Sequence, residues 1–458
     1  MVSFITFKIS SQIKTRFLNY SIVVCGFFIS SVFALTPYIL SIENNNYFLK
    51  EINQAARNVG IVYNSWDLPQ NFREHGLPIH LIQTSVRKTV NKATSDEGDF
   101  YHKEEITNKN SVLNTQIPHQ NIIYILCESC WYDSNHFKDS ASPLLTQGFR
   151  ELRAISPVYG GGTANSEFEM LTGLPSAGKT LSGIIYMEYS ELINPHSHTL
   201  ASALRSKGYE TFAAHNNDKT FWRRNVINKK FGFDKFLGID SMGTAPDDIL
   251  KNKKPWQWQP DDILLYDTAL KELQNNANKN VFMHLVSMST HGPYGYDNDF
   301  GEGRYHYELT QAMQRISEFV KKVEKISPDT VFVIYGDHKP GLNRFFFENG
   351  ILPVVIFDKT GKKDEDFSFV RNVSPVQYGD VPVLIKSPNK EAVDNVINEA
   401  SGQPFFCLTG IIDKNLIHSG LVTFSYVFRN SCDKNLNLSY SEMTDKVPGW
   451  LYSLSIFE

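Results

Sequence analysis

From Asn121 onward the chain repeats one pattern: a short, continuously apolar or β-branched run, then a segment long enough for an amphipathic helix. The runs are Asn121–Cys127 (NIIYILC), Thr211–Ala214 (TFAA), Val281–Met288 (VFMHLVSM), Thr330–Gly336 (TVFVIYG) and Leu352–Phe357 (LPVVIF). Helices are predicted between them over Ala164–Thr172, Leu200–Ser206, Leu264–Ala277 and Leu309–Ile326. A strand that is apolar at nearly every position has no face to offer water, so it belongs in a sheet covered on both sides. A helix between two such strands carries the chain back so that they run parallel. The pattern predicts an α/β fold, a mostly parallel sheet with helices on both faces.

The chain before this core has a different texture. Tyr20–Leu40 runs for about 21 residues without a charge, enough at ~1.5 Å per residue to cross a hydrocarbon core of ~30 Å. Lys8, Lys14 and Arg16 precede it and Glu43 follows, so the positive-inside bias places residues 1–19 in the cytoplasm. Residues 20–40 then form a single-pass anchor in the cytoplasmic membrane, and the remainder is periplasmic or extracellular. A cleaved signal peptide ending near Val32-Phe33-Ala34 is a second reading, and a buried core helix a third. The apolar run continues past that cleavage site, which favours the anchor. Residues 41–119 read as a juxtamembrane segment and linker, with one apolar patch at Gly76–Ile82 and a polar stretch over Thr84–Asn114. The catalytic domain is expected over 120–386. Residues 387–458 read as a C-terminal extension, helical at Asn389–Ala400, with short strands and turns over Phe405–Glu458.

Composition narrows the function. The 458 residues are 41% hydrophobic and 21% charged, as in a folded protein, and a mean hydropathy of −0.28 excludes a polytopic membrane protein. A net charge of −4 argues against a nucleic-acid partner, because phosphate-backbone binders carry a basic excess. Cys407 and Cys432 can pair in an oxidising compartment. Cys127 and Cys130 have CxxC spacing, but no second CxxC or paired His completes a zinc site, and they read as wall residues.

Ligands of open α/β folds bind beyond the carboxyl ends of the strands. Four predicted strands end in chemistry-bearing residues: Glu128; His215-Asn216-Asn217; Ser289-Thr290-His291-Gly292; and Asp337-His338. Two carboxylates and an imidazole suit a divalent hard or borderline cation. Gly160-Gly161-Gly162-Thr163 opens a helical run, placing the Thr163 hydroxyl at a helix N-terminus that favours anions. An unactivated threonine is a poor nucleophile, and coordination to a metal changes that. The alternative at this loop is a glycine turn with Thr163 as an ordinary N-cap. The stretch His215–Asn225 adds Trp222 and Arg224, a face for a small polyol and a fork for a phosphate. In isolation it equally fits a basic helix start with Trp222 in the core, and His291 a plain loop histidine.

The ordered set ILCESCW, GGGTANSEFEMLTG, AAHNNDKTFWRRN, SMSTHGPY and VIYGDHKPG resembles the sulfatase-like alkaline phosphatase superfamily, in its lipoteichoic acid synthase and phosphoglycerol transferase branch. The resemblance covers about half the chain. It implies one catalytic metal, usually manganese with Mg²⁺ or Zn²⁺ as alternatives, on Glu128, Thr163, Asp337 and His338, with Thr163 as nucleophile. It further implies that His215, Trp222, Arg224 and His291 hold or protonate the glycerol phosphate group. Asn217 stands where the lipoteichoic acid synthases are expected to have Asp, in a substrate-binding position. The expected reaction moves glycerol phosphate from an anionic phosphatidylglycerol-like lipid, at the membrane, to a glycan or glycerol phosphate polymer. The rival readings are a phosphoethanolamine transferase, a phosphodiesterase or sulfatase-type hydrolase, and an inactive membrane-anchored binding protein. The nucleophile loop lacks the Cys/Ser-x-Pro-x-Arg run of a sulfatase.

Overall fold

The structure, a computed structural model, describes residues 56, 59–61, 68–85 and 120–457, apart from 179, 253, 255, 256, 258, 259, 296–299, 371 and 372. The expected anchor at 20–40, the cytoplasmic segment 1–19 and most of the polar linker lie outside the described residues. Among the described residues no helix is long and apolar enough to cross a membrane. The chain divides into two compact units, residues 1–91 and 92–458. The first contributes the helix Leu68–Ser85, interrupted by Gly76 in a non-helical conformation and by Pro78. The 76–82 apolar patch lies in this helix, with Leu77 exposed.

The second unit is built on a seven-stranded sheet. Its strands are β1 (Ile122–Cys127), β2 (Arg150–Ile155), β3 (Glu210–His215), β4 (Lys235–Leu237), β5 (Val281–Val286), β6 (Val331–Gly336) and β9 (Asp380–Lys386), in the order β2-β9-β6-β1-β5-β3-β4. The stretch from β6 through β1, β5 and β3 to β4 is parallel. β9 runs antiparallel to both β6 and β2, so the sheet is mostly parallel and mixed at one edge. β1, β5 and β6 are buried at every residue, as their unbroken apolar runs require. The helix Ile263–Asn275 packs on β3 and β5, and Lys390–Ala400 on β2 and β9. The helix Glu302–Ile326 starts about two turns before the apolar pattern shows, and buries Tyr305, Leu309, Met313, Ile316 and Val320 along one side.

Two sequence expectations are corrected. Leu352–Phe357 is not a core strand: it forms a short 3₁₀ turn leading into a surface hairpin of β7 (Phe357–Lys359) and β8 (Phe367–Phe369). Pro353 heads the turn, and Val354 and Val355 are 56% and 76% exposed. The strands expected over Phe405–Glu458 are replaced, as far as residue 457, by helices at Phe405–Ile412, Val422–Val427, Tyr440–Asp445 and Gly449–Ser455. A short apolar run such as FFCLTGII fits a buried helix as well as a buried strand, and every residue of it is buried. It packs against the helix Thr163–Thr172, with Thr409 Oγ1 donating to the Met170 carbonyl at 2.7 Å. Cys407 and Cys432 are joined as a disulfide.

Candidate active site

β1 and β6 are hydrogen-bonded neighbours with Cys127 opposite Gly336, so Glu128 and Asp337 leave the sheet side by side. Only glycine fits at 336, because a Cβ there would lie 1.9 Å from the Cys130 carbonyl oxygen. Asp337 Oδ1 accepts the backbone N–H groups of Ser129 at 2.7 Å and His338 at 3.0 Å, and its Oδ2 has no hydrogen-bond partner. His338 Nδ1 is 2.9 Å from the Lys339 carbonyl, which can only accept, so Nδ1 carries a proton and Nε2 is the atom turned to the carboxylates. That Nε2 lies 3.2 Å from Asp337 Oδ2 and 3.5 Å from Glu128 Oε1. All three residues are buried, and their donor atoms lie within 4.8 Å of one another.

Lone pairs gathered in a buried space repel one another. Burial first, and then the Glu128 charge, push Asp337 up to about 7. A divalent cation removes both penalties, and two carboxylates plus an imidazole are donors that hard and borderline cations accept. The residues therefore fit the metal that the sequence pattern implies. Their outer contacts are also in place. Ser129 Oγ donates to Glu128 Oε1 at 2.9 Å, the Glu128 N–H donates to Ser287 Oγ at 3.0 Å, and Thr290 Oγ1 donates to the Glu128 carbonyl. Such partners fix the orientation of metal ligands.

Thr163 is the first residue of the helix Thr163–Thr172, and Gly162, at φ 89°, is its N-cap. The N-cap reading of Thr163 is thereby set aside: its hydroxyl caps nothing and points to Glu128 Oε2 at 3.2 Å. The buried hydroxyl thus sits at the positive end of a helix and against the carboxylate cluster.

A cavity of about 350 Å³ opens over this cluster, lined by Glu128, Thr163 and His338 together with His215, Trp222, Arg224 and His291. His215 Nδ1 donates to the Val286 carbonyl at 3.0 Å, leaving Nε2 as a buried acceptor without a partner. Burial, then the Arg224 charge, holds this imidazole well below its usual range. It is neutral, and suited to accept a hydrogen bond from a hydroxyl rather than to bind a phosphoryl oxygen. Trp222 and Arg223 both have left-handed backbones, φ 56° and 55°, a conformation that costs non-glycine residues about 1–3 kcal/mol each and concentrates at ligand sites. Arg224 is almost fully buried: Nε lies 3.0 Å and Nη2 2.5 Å from Glu167 Oε1, and Nη1 has no partner. His291 is exposed on the cavity rim, its Nδ1 2.6 Å from the Gly292 carbonyl. Two expected site residues are off the wall: Asp337, fully buried within the ligand cluster, and Asn217, which is held elsewhere. The Asn217 Oδ1 accepts the Asp218 N–H at 2.8 Å, and its carbonyl accepts from Ile239 at 3.0 Å.

Cys127 and Cys130 are joined to each other, which corrects their reading as plain wall residues. The bond brackets Glu128 and Ser129, in a turn where the Cys130 N–H donates to the Cys127 carbonyl at 3.1 Å. Sequence reasoning also missed Asp262. This buried carboxylate accepts from Met288 N and Asn216 Nδ2, each at 2.8 Å, and from Ser289 N at 3.1 Å, tying the loop after β3 to the loop after β5. Glu167 was passed over too, although it lies within the quoted TANSEFE stretch, one helical turn beyond Thr163.

The Sulfatase family model matches residues 120–403, a stretch that contains every residue of the cavity wall named above. Over 326 residues the chain is 26% identical to a protein of Rhizobium meliloti (strain 1021) named for cyclic beta-1,2-glucan modification, covering 66% of this chain and 48% of that one. Over 254 residues it is 24% identical to phosphoglycerol transferase I of Salmonella agona (strain SL483), covering 48% of this chain and 31% of that one. The chain thus spans less than half the length of these relatives. The Streptococcus pyogenes phosphoglycerol transferase GacH, solved in complex with sn-glycerol-1-phosphate, has a TM-score of 0.53 at 18% identity, covering 80% of this chain and 95% of that one. That likeness is one of fold, a mostly parallel α/β architecture. Since the family match spans more than half of the chain and takes in the whole cluster at the strand ends, the protein belongs to the sulfatase family of enzymes.

Proposed function

We propose that the chain is a membrane-anchored, metal-dependent phosphoglycerol transferase that moves glycerol phosphate from a phosphatidylglycerol-like lipid to a glycan or polymer hydroxyl through a phosphothreonine ester at Thr163. The observation that carries this reading is the placement of the Thr163 hydroxyl at a helix N-terminus, 3.2 Å from one of three buried ligand residues whose lone pairs converge. Glu128, Asp337, His338 and the Thr163 hydroxyl would hold the cation, with Mn²⁺ the expected occupant; when bound, it supplies positive charge that acidifies the hydroxyl and offsets charge on the phosphoryl oxygens.

The remaining steps belong to side chains. Arg224 Nη1, buried and without a partner, is placed to donate to a phosphoryl oxygen. Trp222 offers a face to the glycerol carbons, and the bare Nε2 of His215 accepts a hydrogen bond from a glycerol hydroxyl. Thr163 Oγ attacks phosphorus as the bond to the diacylglycerol oxygen breaks, and His291 on the rim delivers the proton that oxygen needs. An acceptor hydroxyl then attacks phosphorus as its bond to Thr163 Oγ breaks; the acceptor's proton returns to His291, and Thr163 regains the hydroxyl proton it gave up. The anchor expected at 20–40 would keep the site beside the lipid, and two disulfides among the described residues support an oxidising compartment outside the cytoplasm. The glucan-modification name of one relative supports a glycan acceptor.

The test is incubation with phosphatidylglycerol labelled in its head group, with Mn²⁺ present and candidate glycans as acceptors. Label moving to a glycan or polymer, and no turnover by Thr163→Ala, is the expected result. Label appearing as free glycerol phosphate in the presence of every acceptor would indicate a hydrolase. Normal transfer by Thr163→Ala would remove the proposal.

A further inference from the structure

Arg224 is among the largest fully buried side chains of the molecule, and it lies in the wall of a polar cavity. Its neighbour across the guanidinium is Glu167, which is 1% exposed. Glu167 follows Thr163 by four residues on one helix, so the two side chains share a face. The ion pair is side-on. Nε lies 3.0 Å from Oε1 and 3.3 Å from Oε2, and Nη2 lies 2.5 Å from Oε1. Both of these nitrogens belong to one edge of the planar fork, so pairing along that edge fixes both the plane and the rotation of the group. Nη1 is left on the opposite side, buried and without a partner. A guanidinium without Glu167 would be free to turn that donor away from the cavity.

We propose that Glu167 is the positioning residue that locks Arg224 with Nη1 directed at the phosphoryl group presented to Thr163. One helix then carries the nucleophile and, a turn later, the anchor of the charge that the nucleophile's target requires. The proposal rests on the reading of Arg224 as a phosphoryl-binding residue, and the experiment separates failure of the two. Glu167 hydrogen-bonds to Arg224 and to none of the three clustered metal-ligand candidates, so its effect on a phosphate probe should pass through Arg224.

Wild type and Glu167→Gln, both with saturating Mn²⁺, are titrated by calorimetry with inorganic phosphate and with sn-glycerol 1-phosphate, and Mn²⁺ affinity is measured in parallel. The glutamine should weaken both phosphate probes by roughly tenfold or more, the usual scale for a misaligned charged hydrogen bond, with Mn²⁺ affinity unchanged. Glu167→Asp, one methylene shorter, should recover part of the loss. In an Arg224→Gln background, adding Glu167→Gln should change nothing further. That double variant also removes both buried charges, so it keeps the test alive where Glu167→Gln alone does not fold. Equal phosphate affinity in wild type and Glu167→Gln, a parallel loss of Mn²⁺ binding, or a further loss in the double variant overturns the proposal. A wild type that binds phosphate but ignores glycerol phosphate retires the glycerol reading, and the phosphate arm still decides the part of Glu167. A wild type that binds neither overturns both.

Discussion

Replacing Gly162 with alanine should separate catalysis from stability. Gly162 is the N-cap of the helix that begins with Thr163, at φ 89° and ψ 24°. An alanine there meets two penalties. The left-handed backbone costs an L-residue about 1–2 kcal/mol, and the new Cβ would lie 3.0 Å from Val158 Cγ1 and 3.5 Å from Ile184 Cδ1. The closer contact obliges Val158 or the backbone to give by a few tenths of an ångström, which brings the total to about 2 kcal/mol. A domain stable by about 5–15 kcal/mol survives that loss. The nucleophile is less tolerant. The easiest relief moves the peptide that carries Thr163, and a misplacement near 1 Å costs about 10²-fold in rate. The assay is transfer of labelled lipid head group, run beside urea denaturation. The expected outcome is a modest loss of stability with turnover down about a hundredfold. Gly160 is the control: its φ is 64°, and a Cβ there would meet only Gly341 Cα, at 3.7 Å. An alanine there meets the backbone penalty without a clash, so Gly160→Ala should keep most of its activity. Wild-type turnover in Gly162→Ala, or equal impairment in both variants, would refute the link from this backbone to the nucleophile.

Two further outcomes follow from buried carboxylates. Asp262→Ala strands the N–H groups of Met288 and Ser289 and the Asn216 amide, so stability should fall by about 3 kcal/mol in denaturant titration; an unchanged midpoint would mean that these contacts do not hold the loops. Burial pushes Glu169 from the usual 4.5 up to about 8, against the pull of the Ser176 hydrogen bonds. Its folded-state pKa is raised, so the stability linked to its proton is fully present below about pH 4.5 and is lost as pH rises to about 8. Compared across pH 5 to pH 9, the stability of Glu169→Gln relative to wild type should rise by about 3–5 kcal/mol; a pH-independent difference would contradict this.

How much of this was legible in the sequence depended on where each residue draws its meaning. β1, β5 and β6 were readable because strands buried on both faces have to be apolar throughout. β2 was not: RELRAI carries two arginines and a glutamate and runs from exposed to buried at the sheet edge. β9 holds Pro382 opposite Arg153, and a proline ordinarily argues against an interior strand. LPVVIF misled in the other direction, since its valines face solvent. Glu128, Asp337 and His338 were readable because parallel strands deliver the residues after them to one rim. Glu167 and Asp262 escaped because their partners are brought to them by the fold, Arg224 at a separation of 57 residues and Met288 at 26. Asn217 sat in a readable motif, yet its side chain turned back onto the neighbouring amide.

In the proposed mechanism Thr163 carries the transferred group. Protein incubated with head-group-labelled phosphatidylglycerol and Mn²⁺, quenched in acid and digested, should yield a Thr163-containing peptide bearing the labelled phosphoglycerol. That adduct should be absent from Thr163→Ala and from chelator-treated protein. Product formation with no label on that peptide at any quench time, or turnover by Thr163→Ala, would contradict the account.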